Sequence, residues 1–534
     1  MNHKTSRFVY SMLFTLCVAL IAMYSAYSHT LRTSGIDFSK PPQGQAFRRQ
    51  APNAQEMLAS SLESSQDTQA AFTERTLIKV GLPDWVGEVN LSAPGGILYS
   101  QGQVPLIKVR LVTTFFQKVK LALYDGEDHL LLSTTEPLTL GAAEGTEEPI
   151  CQVEIVDPLT GAKTYSAYRG QLTLTPQEAG IKVVNHLALE DYLKGVVPSE
   201  VPARFEPEAL KAMACVARSY TLASLGRHKE QGYDLCSEVH CHVYGGAGVE
   251  DPKINAQIEA TAGQMVCWGK MIADTRYHAV CGGCGEGLEY AWPQAQPVNY
   301  LVPSSDLESG QLWTPAELLA TISRSNLGAS PLAAEPVAES DSLEGGELAP
   351  NRAEAAAPPA LEPGASLENT PQLEAALRHF IDDPGPAYCQ EASRFRWRAE
   401  YTLAELSDQL RESLPVLVGA QPTEIGDLQE LQILRRSPSG RALQLAVVTS
   451  LGSFTLSHDQ MRWMVGGGKI NPSGLRSTLF YIEPSPEKIA FVGGGWGHGV
   501  GLCQEGAQGR ALAGQDYLEI ISHYYPGCEV LLNR

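Results

Sequence analysis

The sequence predicts an α+β fold, and three observations carry that reading. Short, partly alternating apolar segments separated by Gly, Asp or Pro fill residues 76–187, as strands of a β-rich region do. Helical spacing of apolar residues follows at Pro207–Leu225, Asp251–Thr261, Tyr401–Leu414, Cys503–Ala513 and Asp516–Tyr524. The two patterns do not alternate regularly, as a doubly wound parallel sheet would require.

Taken in order, the chain opens on a targeting signal. Lys4 and Arg7 precede a stretch free of charge from Phe8 to about Ala26, so residues 1–28 read as a signal peptide or an N-terminal anchor in the cytoplasmic membrane. Residues 29–75, rich in Ser, Gln, Ala and Thr, read as a flexible linker. In the β-rich part, Leu77–Leu82, Ile107–Val112 and Val119–Tyr124 are the clearest strands. Between residues 326 and 374 the chain is dominated by Ala, Pro, Glu and Ser, with nine acidic residues against one basic. Such a segment buries too little apolar surface to order itself and reads as a disordered acidic insertion in a surface loop.

Composition narrows the function. With 43% hydrophobic and 19% charged residues, the 534-residue chain is globular in character. Its net charge of −20 and its lack of any basic run argue against nucleic acid as a partner. A neutral or weakly charged polymer is the easier substrate.

Four constellations carry chemistry. In Val196-Val197-Pro198-Ser199-Glu200-Val201-Pro202 a carboxylate sits between two prolines among nearly uncharged neighbours, where desolvation would raise its pKa towards the range of a general acid. The alternative is a plain turn before the helix. In Gly493-Gly494-Gly495-Trp496-Gly497-His498-Gly499-Val500-Gly501 glycines fence a histidine beside an aromatic face, a pattern that admits close backbone approach and sugar stacking. The Walker lysine is absent, which excludes a phosphate loop. His228, Cys236, His240 and Cys241 match the N/S preference of tetrahedral zinc, with a disulfide from Cys236 or Cys241 as the competing reading. Finally, Cys281-Gly282-Gly283-Cys284 lacks a thioredoxin-like setting and reads as half of a structural bridge, with Cys389 as a candidate partner.

The run Tyr192–Tyr220, the segment His278–Gly283 with Trp292, and Gly495–Gly501 with Gln504, Gly506 and Ala507 together resemble the SpoIID/LytB family. The resemblance covers residues 77–305 and 378–534, with residues 188–325 and 375–534 as the two parts of a SpoIID-type catalytic core. It implies a lytic transglycosylase that acts on peptidoglycan glycan strands stripped of stem peptides, with Glu200 as acid/base and 1,6-anhydro ends as product. It further implies glycan contacts from Lys211, Arg218, Tyr220, His278, Trp496, His498 and Gln504, and structural zinc on His228, Cys236, His240 and Cys241. The family also contains amidase enhancers, so a non-catalytic wall-binding protein that partners an N-acetylmuramoyl-L-alanine amidase is the alternative. Either activity places the chain in the cell envelope, outside the cytoplasm. Glu505 departs from the family pattern, which frequently has an aromatic residue there.

Overall fold

The computed structural model describes residues 76–85, 87–113, 118–143, 149–157, 160–310, 366–466 and 474–532. Residues 1–75, and with them the targeting segment and linker, lie outside these, and no described helix is long and apolar enough to cross a membrane. From Leu77 to Ala188 the chain forms ten strands of an eleven-stranded, mainly antiparallel sheet. Alternate residues point inward, so Ile78 and Val80, Val89 and Leu91, and Ile107 and Val109 are fully buried. Strand Leu77–Trp85 pairs with Gly180–Ala188 on one side, and on the other its Val80 stands opposite Leu235 in a short parallel pair. The sheet thus anchors both the entry to the helical region and the segment that carries Cys236.

The last strand runs straight into helix α1 (Leu189–Glu200), followed by α2 (Pro207–Ala223). Pro207 opens α2, where its missing N–H is one the helix leaves unpaired anyway. All of Ala209–Leu222 except Lys211 is buried in α2, an apolar girth that fits a helix surrounded by others. Around it lie α1, α3 (Pro252–Ala260), α6 (Gln504–Leu512) and α7 (Tyr517–Tyr524). Strand Tyr277–His278 pairs in parallel with Leu502–Cys503 and so joins the early and late halves of the chain at the N-terminus of α6.

Two findings differ from the sequence reading. First, Glu200 does not stand in a turn: the Val196–Glu200 run completes α1, with Pro198 inside the helix. Second, the acidic insertion expected over 326–374 lies outside the described residues only as far as 365; its last residues form strand Leu367–Glu368 and begin helix α4 (Pro371–Asp382). Composition concealed that helix. Thr370 caps it by accepting from the Leu373 N–H, and Leu373, Ala376, Leu377, Phe380 and Ile381 form its buried stripe. A further core, distinct from that beneath the large sheet, forms around Leu406, Leu410, Leu445, Val447, Phe480 and Phe491. It is built from helix α5 (Leu403–Val418), the four-stranded sheet containing Leu428–Arg436 and Ala442–Thr449, and the three-stranded sheet containing Phe480–Pro484 and Lys488–Gly494.

Candidate active site and metal cluster

Glu200 ends α1, where the helix dipole presents its negative end and disfavours a second negative charge. Burial raises the carboxyl above its ordinary value, against the opposing pull of the Val243 N–H, Tyr277 and Gln504. The Val243 N–H donates to Oε1 at 3.2 Å, and the Gln504 amide donates to Oε2 at 3.5 Å. Tyr277, half-buried, faces the carboxylate without a well-formed hydrogen bond to it. Three separate chain segments therefore converge on one half-buried carboxyl.

The Val243 donor comes from a loop with its own anchor. His228 Nε2 lies 3.3 Å from Cys241 Sγ, and His240 Nδ1 lies 3.6 Å from Cys241 Sγ and 3.8 Å from Cys236 Sγ. The four ligand atoms all fall within 4.8 Å of one another, and both cysteines are free thiols. Two imidazoles and two sulfurs at that spacing fit a tetrahedral zinc ion. Cys241 lies two residues before Val243. Between them, His242 is buried against Tyr192, Tyr220 and Tyr277, with its Nδ1 3.2 Å from the Tyr192 hydroxyl and its pKa pushed down to about 3 by burial. Of this aromatic group Tyr220 was marked from the sequence, but His242 was not. The only signal for it is its place within the Cys-His-Val-Tyr run that follows His240.

A stage II sporulation protein (SpoIID) family model matches residues 177–268, which contain Glu200, α1, α2 and the His/Cys cluster. An amidase enhancer of Bacillus subtilis (strain 168) is 24% identical over 344 residues, 63% of this chain and 39% of that protein. Stage II sporulation protein D of the same organism is 28% identical over 160 residues, 26% of this chain and 47% of that protein. Residues 177–268 thus match the SpoIID family, and these relatives support a likeness to the SpoIID/LytB family. The chain spans less than half the length of these two relatives; stage II sporulation protein D of Bacillus amyloliquefaciens, 23% identical over 351 residues, is matched over 75% of its length. A domain-of-unknown-function model (DUF8618) matches residues 360–501, the span that holds the second core.

The residues that the family resemblance marks for glycan contact separate into distinct places. Gln504 reaches Glu200, whereas Tyr220 is buried against His242 and Tyr277, with its hydroxyl accepting from Arg227 at 2.7 Å. Arg218 does not face the site at all. It is fully buried, forms a bidentate pair with Glu190 at 2.8 Å and donates to the Gln264 and Ile258 carbonyls, so it binds α1 to α2 and cannot meet a glycan. Lys211 is engaged by Glu208 at 2.7 Å and lies over the Tyr517 ring.

His278 and His498 form a second group. Successive residues of a strand point opposite ways, so while Tyr277 faces Glu200, His278 turns to the Val500 carbonyl and to His498, with ring centroids 5.6 Å apart. His498 accepts from the Val500 N–H at 3.0 Å and packs on Trp292, and burial pushes its pKa well down, leaving a neutral ring. One face of Trp496 already carries the Arg394 guanidinium, 4.1 Å from the ring centroid, so that face is not an open stacking platform. The glycine fence serves packing more than ligand approach. Gly497 and Gly501 have φ of +112° and +69°, and a Cβ there would meet His278 at 2.9 Å and the Arg276 carbonyl at 2.0 Å.

Proposed function

We propose that this chain is a peptidoglycan lytic transglycosylase that cleaves the bond between N-acetylmuramic acid and N-acetylglucosamine, with Glu200 as its single acid/base. The observation that carries the reading is the carboxyl itself, raised by burial and held by a donor on each oxygen. A hydrolase of the usual kind needs a second carboxylate to activate water or to attack the sugar. An intramolecular closure needs only one group. Protonated Glu200 gives its proton to the glycosidic oxygen as the C1–O bond breaks; the muramic C6 hydroxyl then attacks C1, and its proton returns to Glu200. The product carries a 1,6-anhydro ring, and no water is consumed. The Val243 N–H and Gln504 stabilise the carboxylate between the two transfers.

In the same reading His228, Cys236, His240 and Cys241 hold a structural zinc. With four protein ligands the ion offers no open position for substrate, so what it supplies is a fixed loop that aims the Val243 N–H at Glu200. The chain then works in the cell envelope, outside the cytoplasm, on glycan strands.

The amidase enhancer matched over 63% of this chain favours one alternative, a protein that acts by assisting an amidase. Purified protein incubated alone with glycan strands stripped of their stem peptides separates the two. The transglycosylase reading expects soluble fragments with no amidase present; release only when an amidase is added would leave the enhancer reading in its place.

A further inference from the structure

Cys281, Asp306, Cys389 and Cys503 come from four separate segments and meet in the main core. All four are buried, and one ligand atom from each lies within 4.8 Å of the others. We propose that these residues form a second structural zinc site, independent of the His228 cluster.

The separations suit a tetrahedron. Cys281 Sγ lies 3.4 Å from Cys389 Sγ and 3.1 Å from Asp306 Oδ2. Zinc with Zn–S of about 2.3 Å and Zn–O of about 2.0–2.2 Å sets ligand-to-ligand edges of about 3.5–3.8 Å, so a small outward shift of each ligand admits the ion. The sulfurs are also surrounded as thiolates. Cys503 Sγ accepts from the Cys281 and Gly506 N–H groups, each at 3.2 Å, and Cys281 Sγ accepts from the Gly283 N–H at 3.3 Å. Backbone donors aimed at sulfur favour the charged form.

The surroundings hold the carboxylate as an outer shell holds a metal ligand. Asp306 Oδ1 accepts from the Tyr524 hydroxyl at 2.6 Å and from Arg510 at 3.1–3.2 Å, which leaves Oδ2 for the cluster. Buried anions this close require a cation or protons among them. Three thiolates and a carboxylate carry four negative charges; zinc removes two, and the guanidiniums of buried Arg510 and half-buried Arg396 stand against the remainder. A Cys281–Cys389 bridge, the competing arrangement, would leave Cys503 as a buried sulfur with two N–H donors and no cation. Cys503 directly precedes Gln504, so the ion would also fix the donor on Glu200 Oε2. That last consequence rests on the proposed role of Glu200; the metal content does not.

The test uses the full chain purified without chelator. With Cys241→Ser removing the first site, the second site should still retain about one zinc per chain. Cobalt(II) exchanged into that variant should show thiolate charge-transfer absorption, and this should disappear on adding Cys389→Ser. On the unsubstituted protein, which avoids any folding defect of a variant, Cys281, Cys389 and Cys503 should resist alkylation until denaturant and chelator are added, and should then all alkylate as free thiols. Folded Cys241→Ser protein without metal, or peptide mapping that finds a Cys281–Cys389 disulfide, would overturn the proposal while leaving the cleavage assay for Glu200 unaffected.

Discussion

Glu200 has a carboxyl whose protonated form the fold favours, and this sets both its chemistry and its cost. Glu200→Gln keeps the shape and one donor-acceptor pair but cannot cycle a proton, so cleavage of stripped glycan should fall by about 10²–10⁴-fold. The same substitution should raise stability at neutral pH. A carboxyl with a folded pKa above its unfolded value favours unfolding as pH rises through the unfolded value, and Gln removes that term. Denaturant melts of the two proteins at neutral and acidic pH check it; no gain at neutral pH would contradict the desolvation argument. The pH profile follows with its sign. Cleavage needs the protonated acid, so kcat/KM should decline as pH rises through the raised pKa. Gln504 favours the charged form, so Gln504→Ala should move that decline to higher pH. At this scale the sequence was informative where residues act locally. The Pro198–Pro202 environment marked Glu200, whereas the burial of Arg218 depended on Glu190 standing beside it across a helix interface, which residue type alone does not reveal.

Among the elements, the loop from Cys236 to Tyr244 couples a metal-fitting cluster to the carboxylate through the Val243 N–H. Cys241→Ser should therefore release the zinc of this cluster alone, lower the melting temperature and reduce cleavage together, because ligand binding to the folded state alone is folding free energy. The full zinc content of the unsubstituted protein and unchanged melting in that variant would show that the cluster holds no metal. The strands of residues 77–188 and the helices at 207–223, 252–260, 504–512 and 517–524 were legible because their apolar periods are clean. Helix α1 was hidden by Pro198, and α4 by a run of Ala, Pro and Glu that continues into its capped, amphipathic first turn. Of the Cys281–Asp306–Cys389–Cys503 group only the nearness of Cys389 to the Cys281–Cys284 segment was legible; Asp306 and Cys503 were not, the latter 222 residues from Cys281.

Across the whole molecule, the turn between the second core's strands Leu428–Arg436 and Ala442–Thr449 reaches the Cys281–Glu286 segment. Ser437 and Ser439 in this turn donate to the buried carboxylate of Glu286 at 2.6 and 2.9 Å, and Arg441 donates to the Cys281 carbonyl at 2.8 Å. Leu445→Ala, deep in the second core, should cost about 2–5 kcal/mol in denaturant unfolding while leaving the Glu200 pH profile in place. The central claim is that one carboxyl performs a ring closure without water. Mass spectrometry of the products from stripped glycan strands, digested in ¹⁸O-labelled water, tests it most directly. Ring closure gives unlabelled fragments ending in a 1,6-anhydro ring; reducing ends that carry the label would show hydrolysis in its place.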